Sequence, residues 1–289
     1  VGNLVVGGSG KTPVVEAIAR MLVEMGERPS ILSRGHARKR REDGVVVVSD
    51  SERVLEPVER SGDEPQMLAR ALPGTPVLVS ADRFLAGRLA EQRLGCTVHI
   101  LEDGFQHLQL ARTVDVLLVT PGDLDDRVLP SRRLREGLDA ARVADALIVS
   151  GTSDDATRVS NALGVNTAFT VETTFGALRP LGEGEAPAPA GARVVAVAGI
   201  ARPERFFRAV RSQGWNVVAD LPYADHHWYT ARDLAEINNA AQAAHARIVV
   251  TTEKDAVRIG EQAWWAALPM KASIQPVGEF RSWLRGRLR

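Results

Sequence analysis

The run Gly7-Gly8-Ser9-Gly10-Lys11-Thr12 follows the apolar pair Val5-Val6 and leads into a helical pattern. Residues of these types in this order suit polyphosphate chemistry. Glycines let backbone N–H groups turn inward around phosphate oxygens, and the first turn of the next helix adds its positive end. In such a loop Lys11 reaches the β- and γ-phosphates of a nucleotide such as ATP, and the Thr12 hydroxyl ligates Mg2+. The strict pattern has glycine where this chain has Val5, and a plain Gly-rich strand-to-helix turn would use the same residues. The phosphate reading is preferred because strand, glycines, Lys-Thr and helix follow in the required order.

Two acidic sites could complete the chemistry. Gly62-Asp63-Glu64-Pro65 stands just before a helical pattern. Asp63 with Gln66 three residues on would serve as a helix cap, and proline suits a first turn. An enzyme that deprotonates an alcohol also needs a carboxylate near the attacking oxygen, so capping and catalysis are both open at Asp63. The second site is His99-Ile100-Leu101-Glu102-Asp103-Gly104-Phe105-Gln106-His107. Apolar residues leading into carboxylates at a strand's C-terminal end can hold Mg2+ opposite the Thr12 hydroxyl. A surface turn at Asp103-Gly104 with a surface histidine at His107 is the plainer alternative.

Such groups converge only if an α/β sheet carries them on one edge. Apolar runs alternate with helical patterns along the whole chain, which predicts parallel α/β architecture. Strands are expected at residues 1–6, 30–32, 44–48, 76–79, 98–101, 114–120 and 146–150, with helices at 12–25, 65–72 and 84–94. A Pro/Ala/Gly stretch at 182–191 reads as a linker, and the junction is placed near residues 175–191. Beyond it come strands at 193–198, 216–221 and 247–251 and helices at 204–213 and 231–246. The expected fold is therefore a P-loop nucleoside triphosphate hydrolase-like parallel sheet flanked by helices, residues 1–178. A linker and a smaller α/β lobe, residues 179–289, follow. The C-terminal residues 280–289 alternate basic and apolar types and suit either a membrane-surface helix or a docking helix.

Composition narrows the classes. The 289 residues carry 36 basic and 36 acidic side chains, a balance that argues against a dedicated nucleic-acid binder. Four of the basic residues are lysines, so a lysine inside a motif is informative. The single cysteine, Cys96, excludes a disulfide framework and a cysteine-cluster metal site, and reads as a small core residue in a reducing setting. No apolar run approaches the roughly 20 residues of a membrane-spanning helix. The basic run Arg38–Arg41 lies in an expected loop, where a solvated surface is preferred over contact with anionic lipid. The sequence opens on Val1-Gly2-Asn3 within an apolar run, and an N-terminal segment with any membrane anchor is expected to precede it.

Taken together, the motifs resemble the tetraacyldisaccharide 4′-kinase family. The carriers are Gly2-Asn3 with the Gly7–Thr12 loop, Ser33-Arg34-Gly35, Gly62-Asp63-Glu64-Pro65, Asp82-Arg83 and the 102–107 acidic motif. Leu134-Arg135-Glu136, Gly199-Ile200-Ala201-Arg202-Pro203, Asp225-His226 and Thr251-Thr252-Glu253-Lys254-Asp255 continue the same order over nearly the whole chain. The resemblance implies transfer of the γ-phosphate of ATP to the 4′-hydroxyl of an acylated glucosamine disaccharide 1-phosphate, at the cytoplasmic face of the inner membrane. Carried over residue by residue, it implies Asp63 as base, working with His226 from the second lobe. Lys11 and Thr12 would hold phosphates and Mg2+. Glu64, Glu102, Asp103 and Gln106 would surround metal and nucleotide, with His107 beside them. Arg83 and Arg135 would neutralise the transferring phosphoryl group. The chain departs from the family where Glu102-Asp103 replaces two aspartates and where His36 replaces a tyrosine.

Two rivals remain from the residues themselves: a P-loop kinase acting on a soluble substrate, and a nucleotide-hydrolysing switch or chaperone. Glu253-Lys254-Asp255 lacks the spacing of a guanine-reading motif, which weighs against one class of switch.

Overall fold

The computed structural model describes residues 1–7, 10–183 and 188–288. Helix α1 (Lys11–Glu24) follows the glycine loop and buries Val14, Val15, Ile18 and Leu22, a spacing that puts them on one helical face. Strands β1 (Pro29–Ser33), β2 (Val46–Ser49), β3 (Val77–Val79) and β4 (Val98–Leu101) form a four-stranded sheet in the order β2-β3-β1-β4. Strand β1 is parallel to both β3 and β4, while β2 is antiparallel to β3. Helices α2 (Val58–Ser61) and α3 (Asp63–Ala71) lead into β3, and α4 (Arg83–Leu94) lies between β3 and β4. Strands β5 (Val116–Val119), β6 (Ala146–Val149) and β7 (Ala168–Phe175) follow, with α5 (Ser153–Leu163) between the last two. Every residue of β1, β5 and β6 is buried, as expected for parallel strands covered on both faces.

The opening residues run between these two sheets. Gly2 N–H donates to Val116 O at 3.1 Å and Gly2 O accepts from Leu118 N–H at 2.8 Å, while Gly104 N–H donates to Val1 O at 3.1 Å. Further along, Arg135 N–H donates to Leu4 O at 2.7 Å and Val6 N–H to Arg133 O at 2.8 Å. The strand expected over residues 1–6 is thus paired at Gly2 and Val5 rather than continuous. Its partner changes after Gly2, and that change brings residues 133–135 beside the glycine loop.

The chain divides into two compact units, Val1–Thr174 with Lys271–Arg289, and Phe175–Met270. The second contains β8 (Arg179–Pro180), β9 (Arg193–Ala198), α6 (Pro203–Ser212), β10 (Asn216–Pro222), α7 (Ala231–Ala243), β11 (Ile248–Thr252), α8 (Glu253–Ile259) and β12 (Trp265–Leu268). Its sheet has the order β10-β9-β11-β12-β8. Alternate residues of β9 serve two cores: Val194, Ala196 and Ala198 pack with Phe206, Phe207 and Val210. Val195 and Val197 pack with Ile237 and Trp265.

This division differs from the expected 1–178 and 179–289. The linker-like stretch at 182–191 falls inside the second unit, with its residues 184–187 outside the described ones. The C-terminal residues return to the first unit as β13 (Met270–Gln275), placed beside β7, and α9 (Val277–Arg287). In α9, Phe280 and Leu284 are buried, and Phe280 meets Phe169 edge-to-face at 5.0 Å between ring centroids. Its interleaved arginines disguise an i, i+4 apolar pair that docks into the core. Cys96 is a free, buried thiol, raised above its ordinary range by burial.

Candidate active site

The acidic turn after β4 closes tightly on the opening segment. A Cβ on Gly2 would stand 2.5 Å from Phe105 Cβ, and one on Gly104 would stand 2.4 Å from Leu101 Cβ. Asp103, between them, takes the left-handed conformation at φ 51°, uncommon for a side-chain-bearing residue. The outcome is a carboxylate set against Lys11 at the start of α1. Lys11 Nζ lies 2.9 Å from Asp103 Oδ1 and donates to the Oδ1 of fully buried Asn3 at 2.7 Å. Arg135, brought in by the pairing of residues 133–135 with Leu4–Val6, grips Asp103 with two N–H groups at 3.0 Å each. It also donates to Gln106 Oε1 at 3.1 Å. Gln106 Nε2 in turn donates to Asn3 O at 3.1 Å and to Glu136 Oε1 at 2.7 Å.

Burial alone would lift the Asp103 carboxyl; Lys11 and Arg135 outweigh it and hold the group below the usual carboxylate range. Two cations share this one carboxylate at the start of α1. Gly7 and Gly10 flank that loop at φ 93° and 81°, conformations glycine adopts without strain. Gly8 and Ser9 lie outside the described residues. Thr12 is half-buried in the first turn of α1.

Beside Asp103, Glu102 is buried and accepts from Ser33 Oγ at 2.8 Å. Burial, with the negative charges of Glu64 and Asp103, pushes its carboxyl up to about 7. Crowded carboxylates of this kind suit a hard divalent cation, and Mg2+ needs only one or two of them beside phosphate oxygens and water. Among the described residues no three acidic, histidine or cysteine side chains form a metal cage by themselves. The sign of the Glu102 shift carries a stability prediction. A carboxyl whose folded value is raised stabilises the fold fully below its unfolded value, and that contribution is lost as pH rises through about 7. Without nucleotide or divalent ions, Glu102→Gln should melt within about a degree of the parent near pH 5 and several degrees above it near pH 8. Melting curves at the two pH values check this; equal differences at both would show that Glu102 is not held out of charge.

Asp63 is the first residue of α3 and only 2% exposed. The helix N-cap is Gly62, and Gln66 Oε1 instead accepts from Ser61 Oγ at 2.9 Å. The capping alternative for Asp63 is therefore not the arrangement adopted. Gly62 sits at φ 87°, and a Cβ there would stand 3.0 Å from His36 O, so the loop after β1 packs directly on the turn that presents Asp63. Arg83, 4% exposed at the start of α4, donates to Ala81 O at 3.1 Å, and its buried Nε has no partner among the described residues. Its charge is felt by His107, whose ring is lowered by burial and by Arg83 and Arg112.

The first unit thus gathers Lys11, Asp103, Arg135 and Gln106 by direct bonds. Glu102 feels the charges of Glu64, Asp103 and Lys11, Arg83 feels those of Glu102 and Asp103, and His107 feels that of Arg83. His226 belongs to the second unit. There it takes φ 59°, its backbone N–H donates to Gly199 O at 3.2 Å, and its Nε2 lies 3.3 Å from Lys254 Nζ. Asn3 and Ser33 were not foreseen as site residues. Each was signalled by a polar side chain in or ending an apolar run that leads to the site.

A family model for tetraacyldisaccharide-1-P 4′-kinase matches residues 1–289. A tetraacyldisaccharide 4′-kinase of Pelobacter propionicus is 41% identical over 90% of this chain and 73% of its own length. One from Syntrophus aciditrophicus is 39% identical over 90% of this chain and 74% of its own. The crystal structure of the "apo" form of LpxK from Aquifex aeolicus in complex with ATP superposes with a TM-score of 0.79 at 29% identity, covering 100% of this chain and 87% of that one. The order of motifs, the site they build and these relatives agree: the chain belongs to the tetraacyldisaccharide 4′-kinase family.

Proposed function

We propose that the chain transfers the γ-phosphoryl group of ATP to the 4′-hydroxyl of a tetraacylated glucosamine disaccharide 1-phosphate, a step of lipid A synthesis. Family membership supports the reaction, and the observation that carries it at the residue level is Lys11 and Arg135 converging on Asp103 at the glycine loop. In the proposed reaction Asp63 takes the proton of the 4′-hydroxyl as its oxygen bonds to the γ-phosphorus. The bond from that phosphorus to the β–γ bridging oxygen breaks, and ADP leaves. His226 is carried into the proposal as the partner of Asp63 by the family resemblance. Gly7, Gly8, Ser9 and Gly10 would cradle the phosphates, with Lys11 reaching the γ-phosphate. Gln106 and His107 would border the nucleotide, and Arg83 and Arg135 would neutralise charge on the moving group.

Thr12, Glu64, Glu102 and Asp103 would hold Mg2+, which when bound neutralises charge on the β- and γ-phosphate oxygens. An acylated acceptor lies in a membrane, so the proposed place of work is the cytoplasmic face of the inner membrane. Among the described residues no helix is long and apolar enough to cross it. Label from γ-labelled ATP should pass to the acylated disaccharide in detergent micelles and not to its deacylated form. Equal labelling of the deacylated sugar would favour a kinase for soluble acceptors, and lipid-independent hydrolysis without labelled lipid would favour a nucleotide switch.

A further inference from the structure

His226 sits in a loop that the second unit builds with unusual care. The carboxylate of Asp255, fully buried in α8, accepts from Gly199 N–H at 3.0 Å, Thr252 Oγ at 2.6 Å, Tyr229 OH at 3.1 Å and Arg258 at 2.7 Å. Gly199 O accepts from both Arg258, at 3.2 Å, and the backbone N–H of His226, at 3.2 Å. A Cβ on Gly199 would stand 2.9 Å from Asp255 Oδ1 and 3.0 Å from Tyr229 OH. The loop is therefore pinned to the start of α8 from both sides, and His226 is held at φ 59°. Such a backbone conformation costs free energy and persists where its surroundings enforce it.

What α8 presents to the ring is Lys254. Its Nζ lies 3.3 Å from His226 Nε2 and 3.5 Å from Asp225 Oδ1, while Asp225 Oδ1 is 3.8 Å from the same Nε2. An ammonium group has three donors and no acceptor. Where it meets a ring nitrogen, that nitrogen must offer its lone pair, and the proton of a neutral imidazole then stands on the other nitrogen. Lys254 is also closer to Nε2 than the Asp225 carboxylate, which would favour the opposite tautomer by accepting a proton from Nε2.

We propose that Lys254 is a positioning residue that sets the tautomer of His226, keeping the ring proton on Nδ1 so that it can be donated to a carboxylate. The proposal rests on the reading above in which His226 works with Asp63, and adds to it which nitrogen carries the proton and why. The expected effect of removing such a partner is about ten- to a hundredfold in turnover.

The test uses the full chain labelled with 15N-histidine, at a pH where the rings are neutral, with the His226 signals assigned by their loss in His226→Gln. The parent should show His226 protonated on Nδ1. Lys254→Met should move the proton to Nε2, now facing Asp225, and lower kcat by about ten- to a hundredfold with KM for ATP within about twofold. Lys254→Arg, which restores a donor, should restore the Nδ1 tautomer and most of the rate. A parent ring protonated on Nε2, or a tautomer indifferent to Lys254→Met, overturns the proposal whatever the rates. Full turnover in His226→Gln would instead remove His226 from the reaction, while the spectra still decide what Lys254 does to its ring.

Discussion

Asp63→Ala and Asp63→Asn should lower the rate of label transfer from ATP to the acylated disaccharide by about 10²–10⁴-fold, the usual loss of a general base. Nucleotide affinity and the melting temperature should stay close to the parent's. The structural reason is placement. Asp63 is almost wholly buried, 2% exposed, and it is not the N-cap residue: Gly62 is the N-cap of α3 and Gln66 is engaged by Ser61. A buried carboxylate at a helix start, on a turn that admits no Cβ at Gly62 without displacing His36 O, is held more tightly than a cap requires. The isosteric asparagine keeps the shape and removes the capacity to accept a proton. Single-turnover transfer with melting curves separates the two roles: a folded Asp63→Asn enzyme with parental turnover would end the assignment of Asp63 as base.

Much of this site could be read before any coordinates were known, and the parts that could differ in kind from those that could not. The glycine loop, the β4 acids and the alternation of strand and helix are local signals, each written in a few adjacent residues. They place Lys11, Glu102 and Asp103 where the structure has them. Arg135 was reachable only through the family's motif order. Nothing in residues 129–136 says that they pair with Leu4–Val6, because that contact spans more than a hundred positions. The role of Ser33 was out of reach for the same reason, since its partner Glu102 stands far along the chain, whereas Asn3 bonds to nearby Lys11.

The division of the chain differs from the expected one on another ground: its first change, after Thr174, adjoins the expected junction, while the return at Lys271 does not appear in the expected division. Composition marks residues 182–191 as a linker between lobes, whereas the stretch falls inside the second unit. The true return of the chain, β13 and α9, was masked by its arginines. Phe280, Trp283 and Leu284 carry the information, and Phe280 stacks on Trp283 as well as meeting Phe169. The substitution of glutamate at 102 is also clearer in the structure. The longer side chain reaches Ser33 Oγ at 2.8 Å, which ties the end of β4 to the end of β1 across the sheet.

Lys11→Met should cost about 10²–10³-fold in kcat, the scale on which a single preorganised charge is worth at a phosphoryl or oxyanion site. The flexible stem is retained and the charge is lost. Stability should change little, because Asp103 keeps its two-pronged contact with Arg135 when Lys11 is gone. Lys11→Arg should rescue poorly: a planar guanidinium is a poor substitute for a compact ammonium seated between the two oxygens Asn3 Oδ1 and Asp103 Oδ1. Asp103→Asn gives the complementary case, for it leaves Lys11 and Arg135 as two cations around a neutral amide and so should lower the melting temperature where Lys11→Met does not. If Lys11, Asp103 and Arg135 act as one unit, the loss in the Lys11→Met/Asp103→Asn double variant should fall well short of the sum of the single losses. Additive losses would mean that lysine and aspartate serve the nucleotide separately, and that their 2.9 Å contact has no part in the reaction.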